Sequence, residues 1–281
     1  MSVAIVTDAG SDLSPEDLRQ WGIRQVPLSV TFGEQSFQSP DELGPDAFWE
    51  KMCAPDSPFA HTAAPSVGLF KQVFEQAFAQ GHESIVCVCL SGGLSATVKH
   101  AQMAREMLSE REIFVLDSKM AAMGIGALAL RGAALSARGV SGAEIHAELI
   151  EMRNRERLYC ALDTLEYLRK GGRIGSAKAA IGGLLSVKPI LTIDDGTVVV
   201  EDQPRTHSKA AERVIELLTD WPAAEVHFLY APPADIATFR ERVLARMPAP
   251  APKVVTTHIL GPIIGAHVGP GAYGAILVRE V

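Results

Sequence analysis

Short continuous apolar runs alternate with stretches of helical apolar spacing through the first 157 residues, and this alternation restricts the fold more than any other feature. Residues 85–90 and 113–116 are runs of strand length, whereas Phe70, Val73, Phe74, Ala77 and Phe78 recur at the spacing of one helix face. A run that is apolar throughout fits a strand buried on both faces, which is how parallel strands are covered by helices. Residues 3–6 give the first strand, and Ser14-Pro15-Glu16-Asp17 then reads as helix cap, first-turn proline and acidic first turn. A short strand at 26–32 leads into a Gly- and Pro-punctuated stretch to about residue 65, with one helix at 46–52. Further helices are expected around Leu94 to Leu108 and over 120–137, and Ser141 with Glu144 forms a capping box for another.

The pattern changes after residue 157. Residues 158–162 read as a strand, Asp163 and Glu166 as caps of a short helix, and the glycine-rich turn LRKGGRIG as the lead into a second helix ending near Leu185. Residues 187–193 and 197–201 flank Asp194-Asp195-Gly196, a hairpin turn, and 275–278 make a last strand. A hairpin among strand–helix alternations implies a mixed sheet. The expected architecture is therefore α/β and two-lobed: residues 1–157 form a mostly parallel sheet with flanking helices, and residues 158–281 a second α/β lobe with a mixed sheet. A ligand site is expected between them.

Charge and cysteine usage exclude several roles. Lys and Arg number 26 against 33 Asp and Glu, a net charge of −7 that does not favour nucleic acid as a partner. Residues 254–278 carry no formal charge when His258 and His267 are neutral, but their histidines, prolines and glycines argue against a membrane span. The opening MSVAIVTD has no basic segment and no long apolar stretch, so a cytoplasmic location is expected. Cys53, Cys87, Cys89 and Cys160 match neither a zinc-binding nor a disulfide spacing and read as reduced core thiols, with Cys87 and Cys89 on one face of a strand.

Four segments place hydroxyls, glycines or a histidine where strands should end. In His61-Thr62-Ala63-Ala64-Pro65-Ser66, read as a turn, Ser66 caps the following helix and Thr62 is left to face a ligand. Ser91-Gly92-Gly93-Leu94-Ser95-Ala96-Thr97 joins a buried strand to a helix, where free amides and the helix dipole favour an anion; a simple capping turn is the alternative. In Leu165 to Ile174 a helix is stopped by glycine and Arg173 projects from the turn, either toward a ligand or as part of a solvated charge cluster. His267-Val268-Gly269-Pro270-Gly271 combines close backbone approach with a histidine able to donate or to shuttle a proton, although a lone histidine more often has a structural role.

Taken in order, these segments resemble the DegV family, which includes the fatty-acid-binding subunits of bacterial fatty acid kinase. The resemblance runs through Thr7-Asp8 with Ser11-Asp12-Leu13, TAAPS at 62–66, SGGLSAT at 91–97 and DSKMAAMGIG at 117–126. It continues through LEYLRKGGRIG at 165–175, LLSVKPIL at 184–191, RTHSKA at 205–210 and HVGPGAYG at 267–274. The chain departs from the family pattern at Ala9, at Ala63 after the first-loop threonine and at Gly92 in the second loop. The resemblance implies a DegV-like fold and one long-chain fatty acid in a buried apolar tunnel. Its carboxylate would sit at Thr62, Ser95 and His267. It further implies that a separate kinase subunit phosphorylates the carboxylate to an acyl phosphate, that Arg173 and Arg205 contact the partner or the phosphoryl group, and that this chain is a carrier and not itself an enzyme.

No nucleotide motif, cofactor or metal set is legible in the residues, and transient membrane contact fits a lipid carrier. Two other readings remain open at this point. One is a serine hydrolase using Ser95 and His267 with Asp117 or Asp163, although G-x-S-x-G is incomplete at 93–97. The other is a sensor of a different lipid. Acyl chain length, the kinase's identity, oligomeric state and pathway are not legible in the sequence.

Overall fold

A computed structural model describes residues 2–175 and 187–279. The helix expected to end near Leu185 lies outside these residues. The chain opens with β1 (Val3–Asp8), α1 (Pro15–Trp21), β2 (Arg24–Val26), β3 (Leu28–Phe32), β4 (Gln35–Ser39) and α2 (Pro45–Met52). It continues with β5 (Ala60–Ala63), α3 (Val67–Ala79), β6 (Ser84–Cys89), α4 (Thr97–Glu106), β7 (Glu112–Asp117), α5 (Met123–Ala137) and α6 (Gly142–Asn154). The second half comprises β8 (Glu156–Ala161), α7 (Glu166–Lys170), β9 (Ile190–Asp194), β10 (Thr197–Asp202), α8 (His207–Thr219), β11 (Ala223–Tyr230), α9 (Ile236–Leu244), β12 (Val254–Ile259), α10 (Pro262–Val268) and β13 (Tyr273–Arg279).

The fold is α/β with the expected pair of sheets. β2, β1, β6 and β7 form a parallel sheet in that order. Every residue of β1 and β6 is buried, as their unbroken apolar runs require. The second sheet has the order β10-β9-β8-β13-β11-β12 and is mixed, because only β11 and β12 pair in parallel. Both capping boxes form: the Ser14 hydroxyl accepts from the Asp17 amide, and that of Ser141 from the Glu144 amide. Residues 254–278 supply β12, α10 and most of β13, and no helix among the described residues is long and apolar enough to cross a membrane.

Three expectations are corrected. The stretch to residue 65 is not irregular: β4, β3 and β5 form a small antiparallel sheet, so His61 and Thr62 lie on a strand and not in a turn. Residues 262–268, for which the sequence suggested no helix, form one begun by Pro262 at its first position, and His267 sits in its last turn. Glu166 does begin the short helix α7, but Asp163 does not cap it; Leu165 stands at the cap without a side-chain hydrogen bond.

The largest core cluster is continuous from the parallel sheet through α5 and α10 to the inner face of the mixed sheet. Two contacts pin the start of α10 to the first half of the chain. The Trp49 indole N–H donates to the Leu260 carbonyl at 2.7 Å, and the Gly261 amide donates to Asp12 Oδ1 at 3.1 Å. The helix that carries His267 belongs in sequence to the second half but is held by the first. Cys87, Cys89 and Cys160 are buried thiols, and the sulfurs of Cys87 and Cys89 lie 3.5 Å apart on one strand face; Cys53 is exposed, at the end of α2, contrary to a core placement.

Candidate functional site

An open-mouthed cavity lies where the two sheets' layers meet. Its wall is built from Leu28 of β3, Leu90 after β6, Ala121 and Ala122 before α5, and Leu158 and Cys160 of β8, with Ile193 and Val198 from the hairpin and Ile263 of α10. Leu158, Cys160 and Leu162 are alternate residues, so one face of β8 supplies a continuous apolar strip. Polar side chains in this wall are few: Thr62, Ser95, Arg173, His267 and Thr192. Ala121 and Ala122 lie in the DSKMAAMGIG segment but are not singled out by the sequence as site residues, and their short side chains leave room in the wall. Ala122 adopts φ 54° and ψ −141°, a conformation that favours glycine.

Thr62 and His267 come together directly. Antiparallel pairing of β5 with β3 sets Thr62 opposite Val30, and the last turn of α10 brings His267 Nε2 to 2.8 Å from Thr62 Oγ1. His267 Nδ1 is out of contact with solvent and has no hydrogen-bond partner among the described residues. A buried N–H without an acceptor is rarer and costlier than an acceptor without a donor, so the imidazole proton is assigned to Nε2, which donates to Thr62. The Thr62 hydroxyl proton is then free to point into the cavity. Burial, with Arg173 and His61 adding repulsion, lowers the His267 pKa to about 4, so the ring is neutral at pH 7.

Ser95 lines the same cavity and shares a 2.8 Å hydrogen bond with the Thr97 hydroxyl while accepting from the Thr97 amide. The backbone amides of its loop are not free for an anion, contrary to the expectation from the strand-to-helix turn. The Gly92 amide donates to the Asp117 carboxylate and that of Gly93 to the Ser91 hydroxyl, while those of Leu94 and Ser95 donate to the Ser91 carbonyl. This end of the cavity therefore offers hydroxyls in place of a nest of amides.

Arg173 does not project freely. It is half-buried in the cavity wall, with Nε donating to the Leu94 carbonyl at 3.1 Å and Nη1 to the Gly171 carbonyl at 2.7 Å. Arg205 is exposed before α8 and is not part of the wall. The hydrogen bonds carry no hydrolase triad among the described residues. Ser95 pairs with Thr97 and not with His267, Asp117 receives the Gly92 and Lys119 amides, and Asp163 pairs with Lys188 and His207. No cluster of metal-ligating side chains occurs among the described residues.

An α/β chain with a mostly apolar cavity and a few polar side chains in its wall is suited to an apolar ligand. A family model described as "uncharacterised protein, DegV family" matches residues 2–280, and the chain belongs to the DegV family. It is 31% identical over 283 residues to Protein DegV of Bacillus subtilis, covering 98% of both chains. A DegV domain-containing protein of Staphylococcus aureus is 30% identical, with 98% of this chain and 96% of that one covered. Among solved structures, a fatty-acid-binding DegV family protein from Thermus thermophilus matches with a TM-score of 0.91 at 31% identity, with both chains fully covered. The B. subtilis DegV structure, described as a fatty acid binding protein, matches at 0.89 with 30% identity and full coverage of both chains.

Proposed function

We propose that this protein holds one long-chain fatty acid in the cavity, its carboxylate at Thr62, Ser95 and His267, and presents that carboxylate to a separate kinase for conversion to an acyl phosphate. The division into lobes at 1–157 and 158–281 goes with this reading, since the tail then lies between them. The observation that carries it is the wall itself: mostly apolar side chains, with Thr62 bonded to a neutral His267 and with Ser95 and Arg173 in the same wall. The fatty-acid-binding relatives from T. thermophilus and B. subtilis support the ligand class. Burying each CH₂ contributes about 0.8 kcal/mol, so a sixteen-carbon tail supplies roughly 10 kcal/mol before ordering costs. Neutral donors are then enough to orient the head.

In this reading the protein is a carrier without its own nucleotide site, working in the cytoplasm with transient membrane contact, and needing no cofactor. Arg173 and Arg205 serve the kinase encounter or the transferring phosphoryl group, for which guanidinium's forked donors are suited. The first experiment is extraction of the purified protein and identification of the released lipid by mass spectrometry. Recovery of a stoichiometric long-chain fatty acid is expected, and a protein that neither carries nor takes up one refutes the reading. Arg173→Ala and Arg205→Ala are expected to retain lipid but to lose acyl-phosphate formation with a cognate kinase. Undiminished phosphorylation in both variants removes the arginines from the proposal.

A further inference from the structure

Gly171 and Gly172 are neighbours in the turn after α7, and they are glycines for different reasons. Gly172 has φ +71°, a left-handed conformation that closes the helix, and nothing lies within 4 Å of where its Cβ would be. Gly171 has φ −74° and ψ −8°, which any residue adopts. What forbids a side chain there is the imidazole of His267. A Cβ on Gly171 would lie inside contact distance of His267 Nδ1 and 2.8 Å from Cε1, closer than real side chains approach.

The contact has a counterpart. A Cβ on Gly269, just past α10, would fall on the ring of Tyr167 in α7, 2.8 Å from Cγ. Each of the two helices therefore lays a ring over a glycine of the other, which fixes their separation through two points. Gly171 also accepts the Arg173 Nη1 hydrogen bond through its carbonyl, so one residue touches two side chains of the cavity's polar end. The same packing leaves His267 Nδ1 buried without a partner, and so places the ring proton on the nitrogen that meets Thr62.

We propose that Gly171 is a positioning residue of the head-group site: the bare Cα at 171 is the surface against which the His267 imidazole is seated so that Nε2 meets Thr62. This rests on the fatty-acid reading above. The test is a double-mutant cycle between Gly171→Ala and His267→Ala, read by palmitate affinity and by the side-chain NMR signals of His267 in the lipid-free protein. Gly171→Ala is expected to weaken palmitate binding about tenfold in the wild-type background and to change it less than twofold in the His267→Ala background, since the alanine then has no ring to displace. The His267 signals are expected to shift in Gly171→Ala and to stay in place in Gly172→Ala, whose defect is confined to its own backbone.

Equal weakening in both backgrounds, or none in the wild type, overturns the proposal, as do unmoved His267 signals. If Gly171→Ala fails to fold, the double variant decides: recovery of folding when His267 is also removed supports the ring as the obstacle, and continued failure refutes it. Should wild-type protein bind no fatty acid, the function reading falls while the NMR comparison still judges Gly171.

Discussion

Two threonine–histidine pairs sit in this molecule, similar in geometry and different in what they leave over. Thr62 and His267 meet at 2.8 Å, Thr256 and His258 at 2.7 Å, and burial is the first cause that lowers both histidines to a pKa of about 4. Thr256, however, stands between two rings. His227 Nδ1 lies 2.8 Å from the same oxygen, and His227 Nε2 in turn lies 3.3 Å from Glu225. The contacts order the row: His227 Nε2–H donates to the Glu225 carboxyl oxygen, the Thr256 hydroxyl to His227 Nδ1, and His258 Nε2–H to Thr256. Every proton of that row is used. At the other pair the histidine has no second partner and the threonine proton has none among the described residues, but the threonine faces a cavity. A buried polar pair becomes a binding feature when one donor is left unspent beside empty apolar space, and a structural one when its neighbours consume it.

The largest expected effect is an acid sensitivity that the two pairs share and that a bound carboxylate separates. An ordinary histidine in the unfolded chain titrates near 6.5, whereas both folded rings resist protonation down to about 4. Above pH 6.5 both states are neutral and the full stability is present. As pH falls from 6.5 toward 4 the unfolded chain takes protons that the folded rings refuse, so stability is lost by up to about 3 kcal/mol per histidine. Asp8 and Asp12 oppose this. Burial raises them from 3.8 to about 6 and about 8, so their contribution is complete below 3.8 and fades as pH rises through those values. Urea unfolding at pH 7 and pH 4.5 isolates the histidine share: His258→Gln and His267→Gln are each expected to lose less stability on acidification than wild type. Bound palmitate is expected to raise the pKa of His267, by setting a carboxylate beside it, and to leave His258 near 4. An NMR titration in which both rings respond alike to palmitate breaks the comparison.

Next in size is the hydroxyl contribution to binding. Losing one hydrogen bond to a charged head costs on the order of 1–2 kcal/mol, so Thr62→Ala and Ser95→Ala are each expected to weaken palmitate roughly 5- to 30-fold, with the tail holding residual affinity. Calorimetric or fluorescence titration of the pair of variants checks this. Unchanged affinity when both hydroxyls are removed takes the head group away from this end of the cavity.

How far the two regions were legible follows from local chemistry. The parallel sheet could be read because β1 and β6 are buried on both faces and carry apolar runs at 3–6 and 85–89, and the helices of the first half because Ser14 and Ser141 begin capping boxes. α10 could not be, since Gly261, Gly265 and Gly269 punctuate seven helical residues and imitate a loop. Two of those glycines are required by rings packed on them, Trp49 over Gly265 and Tyr167 over Gly269, which no local pattern announces. Thr62, Ser95 and His267 were nameable as residues from the family resemblance, yet 205 residues separate the bonded pair, and only β3–β5 pairing and the docking of α10 bring them together. The expectation of free loop amides around Gly92 failed because Asp117, at the end of β7, takes the Gly92 amide, and Ser91 takes those of Gly93, Leu94 and Ser95.

The smallest expected change in affinity tests whether the second pair is as closed as its hydrogen bonds imply. Thr256→Val keeps the shape of the side chain and removes the oxygen that two imidazoles share, leaving His227 Nδ1 and His258 Nε2 without that partner. Stability is expected to fall by about 1–3 kcal/mol, the range for leaving a buried polar group unsatisfied. Palmitate affinity is expected to move less than about twofold, because Thr256 and both rings lie outside the cavity wall and, among the described residues, no hydrogen bond joins their row to Thr62, Ser95 or His267. Thr62→Val is the matched partner: the same chemical change, with the larger loss in affinity and the smaller loss in stability. If Thr256→Val weakens palmitate as strongly as Thr62→Val does, the polar row on β11 and β12 is part of the binding apparatus, and the division between a spent and an unspent hydroxyl is the wrong one.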